Sequence, residues 1–145
     1  MTNLTAPTPR QYRGLDHRER TTIDCGTTVP IYAGAAVEED SNGQAQNLTA
    51  AGTTFLGFTL MNATAQGDRM EIADKCEVRL SIAKGSALVR TDVGATVYAG
   101  DGNDFNLTST SRQAIGKIVE VELASVGSNT GFCWVYVEGQ GKRSI

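Results

Sequence analysis

The phrase Ile31-Tyr32-Ala33-Gly34 returns as Val97-Tyr98-Ala99-Gly100, and the residues that follow it return as well. Asn47-Leu48-Thr49 is matched by Asn106-Leu107-Thr108, and Leu56-Gly57-Phe58 by Ile115-Gly116-Lys117. In both copies the apolar residue before Gly lies nine positions after the Asn. A fourth anchor sets Cys76-Glu77-Val78-Arg79-Leu80 beside Cys133-Trp134-Val135-Tyr136-Val137. The copies differ in length only in polar, Gly-rich gaps, where loops tolerate insertion. We read an internal duplication over about residues 28–83 and 94–139. Each copy is too short to hide an apolar face alone, so the expectation is two halves sharing one core.

The local pattern is that of strands. Cys76, Val78, Leu80 and Ile82 alternate with Glu77, Arg79 and Ser81, the period of two of a half-buried strand. Val119, Val121 and Leu123 alternate with Glu120 and Glu122 in the same way. Shorter strands are expected at 21–25, 28–33, 46–49, 54–61, 69–73, 86–91, 95–99 and 104–108, with room for a short helix in 61–68 or 109–114. Turn clusters such as DSNGQ, GDGND and SVGSNTG separate them. About ten short strands at this spacing predict a mainly β fold, a small sandwich or barrel built from two pseudo-repeated halves.

The ends read differently. Residues 1–20 hold Pro7 and Pro9 without periodicity and are expected to form an extended arm; 21–140 form one β domain and 141–145 a flexible tail. Arg10, Arg13, Arg18 and Arg20 make the arm basic, whereas the whole 145-residue chain carries a net charge of −3. A basic arm on an acidic body suits contact with something beyond its own domain. Four arginines at an isoelectric point of 5.1 are too few for a nucleic-acid footprint. No apolar run is long enough to span a membrane, and the first residues lack the apolar stretch of an export signal, so neither membrane nor export is expected.

Few residues of the chain fit a known reaction chemistry. The three cysteines include no C-x-x-C pair, and Cys76 and Cys133, at equivalent positions of the two copies, are expected to be buried thiols; no metal or cofactor site is expected. Ser81-Ile82-Ala83-Lys84 fits S-x-x-K, but that chemistry needs the serine at a helix start, and here it closes a strand. The DGND run at 101–104 is a turn rather than a calcium loop, because Phe105 stands where a ligand should be. GQGK at 139–142 lacks the first Gly and the Ser or Thr of a phosphate loop. Glu38-Glu39-Asp40 reads as a solvated loop tip. His17, the one imidazole, sits in the arm with no rigid partner for acid–base work. No catalytic residue is assigned.

One contrast between the copies points to binding. Where the first copy has Glu77 and Arg79 opposite the apolar side of its strand, the second has Trp134 and Tyr136. If the first pair faces water, the aromatics lie outside the core and need a cover: another subunit, the arm, or a second layer. Ordinary burial within the domain is the alternative.

The segments GTTVPIYAGAAV, TTFLGFTL, GATVYAGDGNDFNLTSTSRQAIGKIVEV and GFCWVYVEG, in that order over about residues 26–139, resemble the capsid decoration, or cement, proteins of tailed bacteriophages. The resemblance implies a protein without enzymatic activity that binds the outer surface of an expanded head and bridges major capsid protein subunits. It also implies a homotrimer, assembled on the virion from protein made in bacterial cytoplasm. On that basis Arg10, Tyr12 and Arg13 are expected to contact the capsid, and Trp134 and Tyr136 to support the subunit interface. A glycan- or receptor-binding β module of a phage tail is the competing expectation, and a small β-barrel enzyme comes third.

Overall fold

A computed structural model describes residues 3–14 and 20–139. Eleven strands and two 3-10 turns, Arg90–Asp92 and Leu123–Ser125, make up its regular structure among these residues. The strands are β1 (Tyr12–Arg13), β2 (Arg20–Asp24), β3 (Ala36–Glu39), β4 (Ala45–Asn47), β5 (Phe55–Thr59) and β6 (Arg69–Ala73). They continue with β7 (Lys75–Ala83), β8 (Thr96–Asp101), β9 (Asp104–Asn106), β10 (Gln113–Val121) and β11 (Thr130–Glu138). The fold is mainly β. The segments 61–68 and 109–114 contain no helix. Residues 28–33 contribute one bridge, Ile31 to Ala63, because Pro30 has no N–H for a ladder. In 86–91 the expected strand is a plug: Leu88 is buried, and Asp92 turns back to accept from the Val89 N–H at 2.8 Å.

The sheets show how the duplication is built. One runs β2-β6-β5-β3-β4, the other β7-β11-β10-β8-β9, with β1 added on the free side of β7. Shifting every label by five turns the first order into the second. Each sheet also closes on itself through one parallel contact, Cys25 to Ala45 just after β2 and Ala83 to Asn106 at the end of β7. Two small barrels of the same design therefore follow one another, β2–β6 and β7–β11. This corrects the repeat boundaries read from spacing. β7 opens the second unit instead of closing the first, and the fourth anchor pairs strands that are neighbours within one barrel, Cys133 facing Leu80 and Val137 facing Cys76.

The single shared core is corrected too. Ile23, Cys25, Ile31, Val37, Leu56, Met70 and Ile72 fill the first barrel as a cluster of their own. The second cluster fills the other barrel with Val78, Leu80, Ile82, Val97, Ile118 and Val135, and reaches into the first unit for Leu48, Phe55 and Phe58. β5 is buried at all five positions because one side faces its own barrel and the other faces its neighbour. Phe58 stands 6.1 Å from Phe55, edge to face, and 5.7 Å from Phe105 of the second barrel. Cys25, Cys76 and Cys133 are buried thiols, and burial pushes the Cys133 thiol up to about 11.

Glu38 sits at the joint between the units. It is 3% exposed on β3, not at a solvated tip. Its carboxylate accepts from Gln46 Nε2 at 2.6 Å, Thr49 Oγ1 at 2.8 Å and the Thr49 N–H at 3.1 Å, all in its own unit. Gln113 Nε2, from β10 of the other barrel, donates at 2.7 Å. Asp40, two positions on, closes the next turn by accepting from the Asn42 and Gln44 N–H groups.

Candidate functional site

The arm is laid across both barrels. Asn3 Oδ1 accepts from the Gly102 N–H at 2.8 Å, Leu4 packs on the core of the first barrel, and the Thr8 N–H donates to the Ala33 carbonyl at 2.9 Å. Arg10 donates from Nε to the Gly34 carbonyl at 2.9 Å and from Nη2 to Asn103 at 2.8 Å, with its guanidinium 5.5 Å from the Phe105 ring centre. The Gln11 carbonyl accepts from the Arg79 N–H, and Tyr12 and Arg13 pair with Val78 and Glu77 as β1. Since β9 covers β7 only at Ala83, β1 covers the part of that edge that would otherwise stand open. Tyr12 also packs on the second core, and burial pushes its phenol well above the usual range.

Arg10, Tyr12 and Arg13 thus all hold partners within the chain. His17 lies outside the described residues, as does the tail 141–145.

Trp134 and Tyr136 do face away from the core, and they have separate fates. Their cross-strand neighbours are Arg79 and Glu77. Arg13 lies 3.6 Å over the Trp134 ring while its Nη1 reaches Glu120 at 3.1 Å and Glu77 at 3.6 Å. The arm is therefore the cover for Trp134, which is 6% exposed, whereas Tyr136 remains 42% exposed. Phe132 repeats the arrangement beneath Arg79, 3.7 Å away, and Arg79 is held by two bonds to Glu122 at 2.6 and 2.9 Å. Those bonds hold the Glu122 carboxyl below its usual range.

Because Trp134 is the only tryptophan, its emission reports the strap directly. Arg13→Ala is expected to red-shift the emission and raise quenching by iodide, at a stability cost of about 1 kcal/mol for the lost cation–π contact. An unchanged spectrum would mean that the arm does not cover the ring in solution.

Among the described residues, the open surfaces of the second barrel include two with exposed apolar side chains. A groove of about 920 Å³ runs between the loop at 50–53 and the outer side of β10 and β11, with Ala51, Ala114, Lys117 and Tyr136 along it. A smaller hollow of about 370 Å³ is bounded by Arg90, Val93, Val119, Glu120, Val121 and Leu123. The alternation of 119–123 placed Val119 and Leu123 inward beside Val121. A bulge between Ile118 and Glu120 instead turns Val119 outward, and the 3-10 turn carries Leu123 to 72% exposure.

The GQGK run extends beyond the described residues, and among those described the groups singled out for chemistry are held structurally. Lys84 donates to Asp92 and to the Ala87 carbonyl, so the S-x-x-K lysine serves a turn. Asp104 pairs with Arg112 at 2.9 Å, and Asp101 accepts from the Asn103 N–H. Among the described residues no three His, Cys, Asp or Glu side chains are grouped to hold a metal ion, and no helix is long and apolar enough to cross a membrane. No protein-family model matches the chain, and no curated protein matches it either. What these open surfaces offer is apolar contact rimmed by charge.

Proposed function

We propose that this chain is a structural protein without enzymatic activity: a decoration protein of a tailed-phage head, bound to the outside of the expanded capsid. The observation that carries the reading is a strapped pair of barrels that leaves Val93, Val119, Leu123, Phe132 and Tyr136 exposed on one unit. Isolated exposed apolar residues are ordinary; several on one unit suit protein contact. The partners in this reading are the major capsid protein and further copies of the chain, and the place is the virion surface.

Stabilisation would follow from linkage. A ligand that binds the expanded lattice better than separate or unexpanded subunits favours that state by its differential affinity. Contacts to several subunits at once add by multivalency. Arg10, Tyr12 and Arg13 then act at one remove, by fixing the barrels that present the contact surface.

Purified expanded heads should pull the protein down saturably, and unexpanded heads at least ten-fold more weakly. Equal binding to both, or none, would remove the reading. The glycan-binding alternative is favoured by the groove, where Tyr136 offers a ring beside Thr96, Lys117 and Glu138. Retention on host-surface glycan, abolished by Tyr136→Ala, would support it over head decoration.

A further inference from the structure

We propose that the end of the second barrel pairs with the same end of a second copy about a two-fold axis. The inference goes beyond head binding and stands without it. Three observations carry it. Leu123 projects, 72% exposed, at the rim of a hollow walled by Val93, Val119 and Val121. A knob next to a hole on one surface fits its own image turned by a half-rotation, each Leu123 entering the other copy's hollow. Val93 is 50% and Val119 40% exposed there, so the walls of the hollow are uncovered apolar surface within the chain.

The rim supplies the second argument. Arg90 stands on the 3-10 turn and Glu120 on β10, both exposed and both bordering the hollow. A surface of one cation, one carboxylate and an apolar centre complements itself, whereas a polyanion would need a one-signed rim. In the paired arrangement Arg90 of each copy meets Glu120 of the other. Glu120 already receives Arg13 at 3.1 Å, but its side chain is 51% exposed and has room for a second cation.

The third is continuity. Val89 and Val126, at 41% and 37% exposure, flank the same two turns, and the backbone joins them through the Gly127 N–H to the Leu88 carbonyl at 2.7 Å. They extend the apolar centre beyond the hollow. An isologous face of this kind joins copies in pairs; a three-fold assembly would need a different face.

Sedimentation equilibrium of the full chain, without heads, tests this. The protein should weigh as a dimer at tens of micromolar, and Leu123→Glu should weaken pairing at least ten-fold while leaving the melting temperature in place. Arg90→Glu and Glu120→Arg should each weaken it alone, since each sets like charges together twice. An equimolar mixture of those two variants should pair again, because both reciprocal contacts then join opposite charges. A monomeric wild type, a Leu123→Glu protein of unchanged mass, or a mixture that fails to pair overturns the proposal. None of these outcomes depends on whether heads are the target.

Discussion

Glu38→Ala should lower the unfolding free energy by about 3–5 kcal/mol, the range expected when a buried carboxylate is taken from the donors arranged around it. Four donors lose their acceptor together: Gln46 Nε2, the Thr49 N–H and hydroxyl, and Gln113 Nε2. Gln113 retains the Thr49 carbonyl at 2.8 Å, so its own loss is partial. Gln113→Ala should accordingly cost less, about 1.5–3 kcal/mol for one hydrogen bond to a charged group. The double variant should fall short of the sum, because both changes break the same Gln113–Glu38 hydrogen bond across the joint. Urea titration followed by Trp134 emission measures all three. A Glu38→Ala protein within 1 kcal/mol of wild type would show that the joint does not depend on this carboxylate.

Glu38 also shows where sequence reading stops. Three acidic residues in a row beside Ser41-Asn42-Gly43 look like a solvated tip, and for Asp40 the turn is real. Nothing near Glu38 announces the donor on Gln113, which only the packing of two barrels brings into reach. The repeat was legible where it rests on local geometry and misleading where it does not. Cys76–Leu80 and Cys133–Val137 look alike because both are long strands turning alternate residues into the same barrel. Their likeness reflects a common core, and it moved the apparent boundary from Asp74 to residue 83. The aromatic contrast was readable as far as the face: Trp134 and Tyr136 do point away from the core. That Arg13 would cover one and leave the other could not be read, since the arm has no periodicity to place it.

The apolar-Gly pairs are the part of the repeat with the firmest physical cause. In the first barrel the register with β3 shifts as Glu38 faces Phe55 and Val37 faces Gly57, so Leu56 is the extra residue of a bulge. In the second, Ala114 faces Tyr98 and Gly116 faces Val97, leaving Ile115 as the extra residue. The bulge lets Phe55 and Phe58 serve one core while Leu56 serves the other. The glycine after it is needed because the neighbouring strand comes close. A Cβ on Gly57 would land on the Ala73 carbonyl of β6, and one on Gly116 on the Tyr136 carbonyl of β11, the equivalent strand.

Gly57 has a second constraint, φ of +143°, which side-chain-bearing residues rarely adopt. Gly57→Ala should therefore cost about 3–5 kcal/mol, strain and collision together, and Gly116→Ala about 1–3 kcal/mol from the collision alone. Gly67 separates the two causes: its φ is +89°, but a Cβ there meets nothing within 4 Å. Gly67→Ala should then cost only about 1–2 kcal/mol, the left-handed backbone term. If chemical denaturation ranks Gly57→Ala no lower in stability than Gly67→Ala, close approach of β6 is not what holds that glycine in place, and the physical basis for equating the two barrels weakens with it.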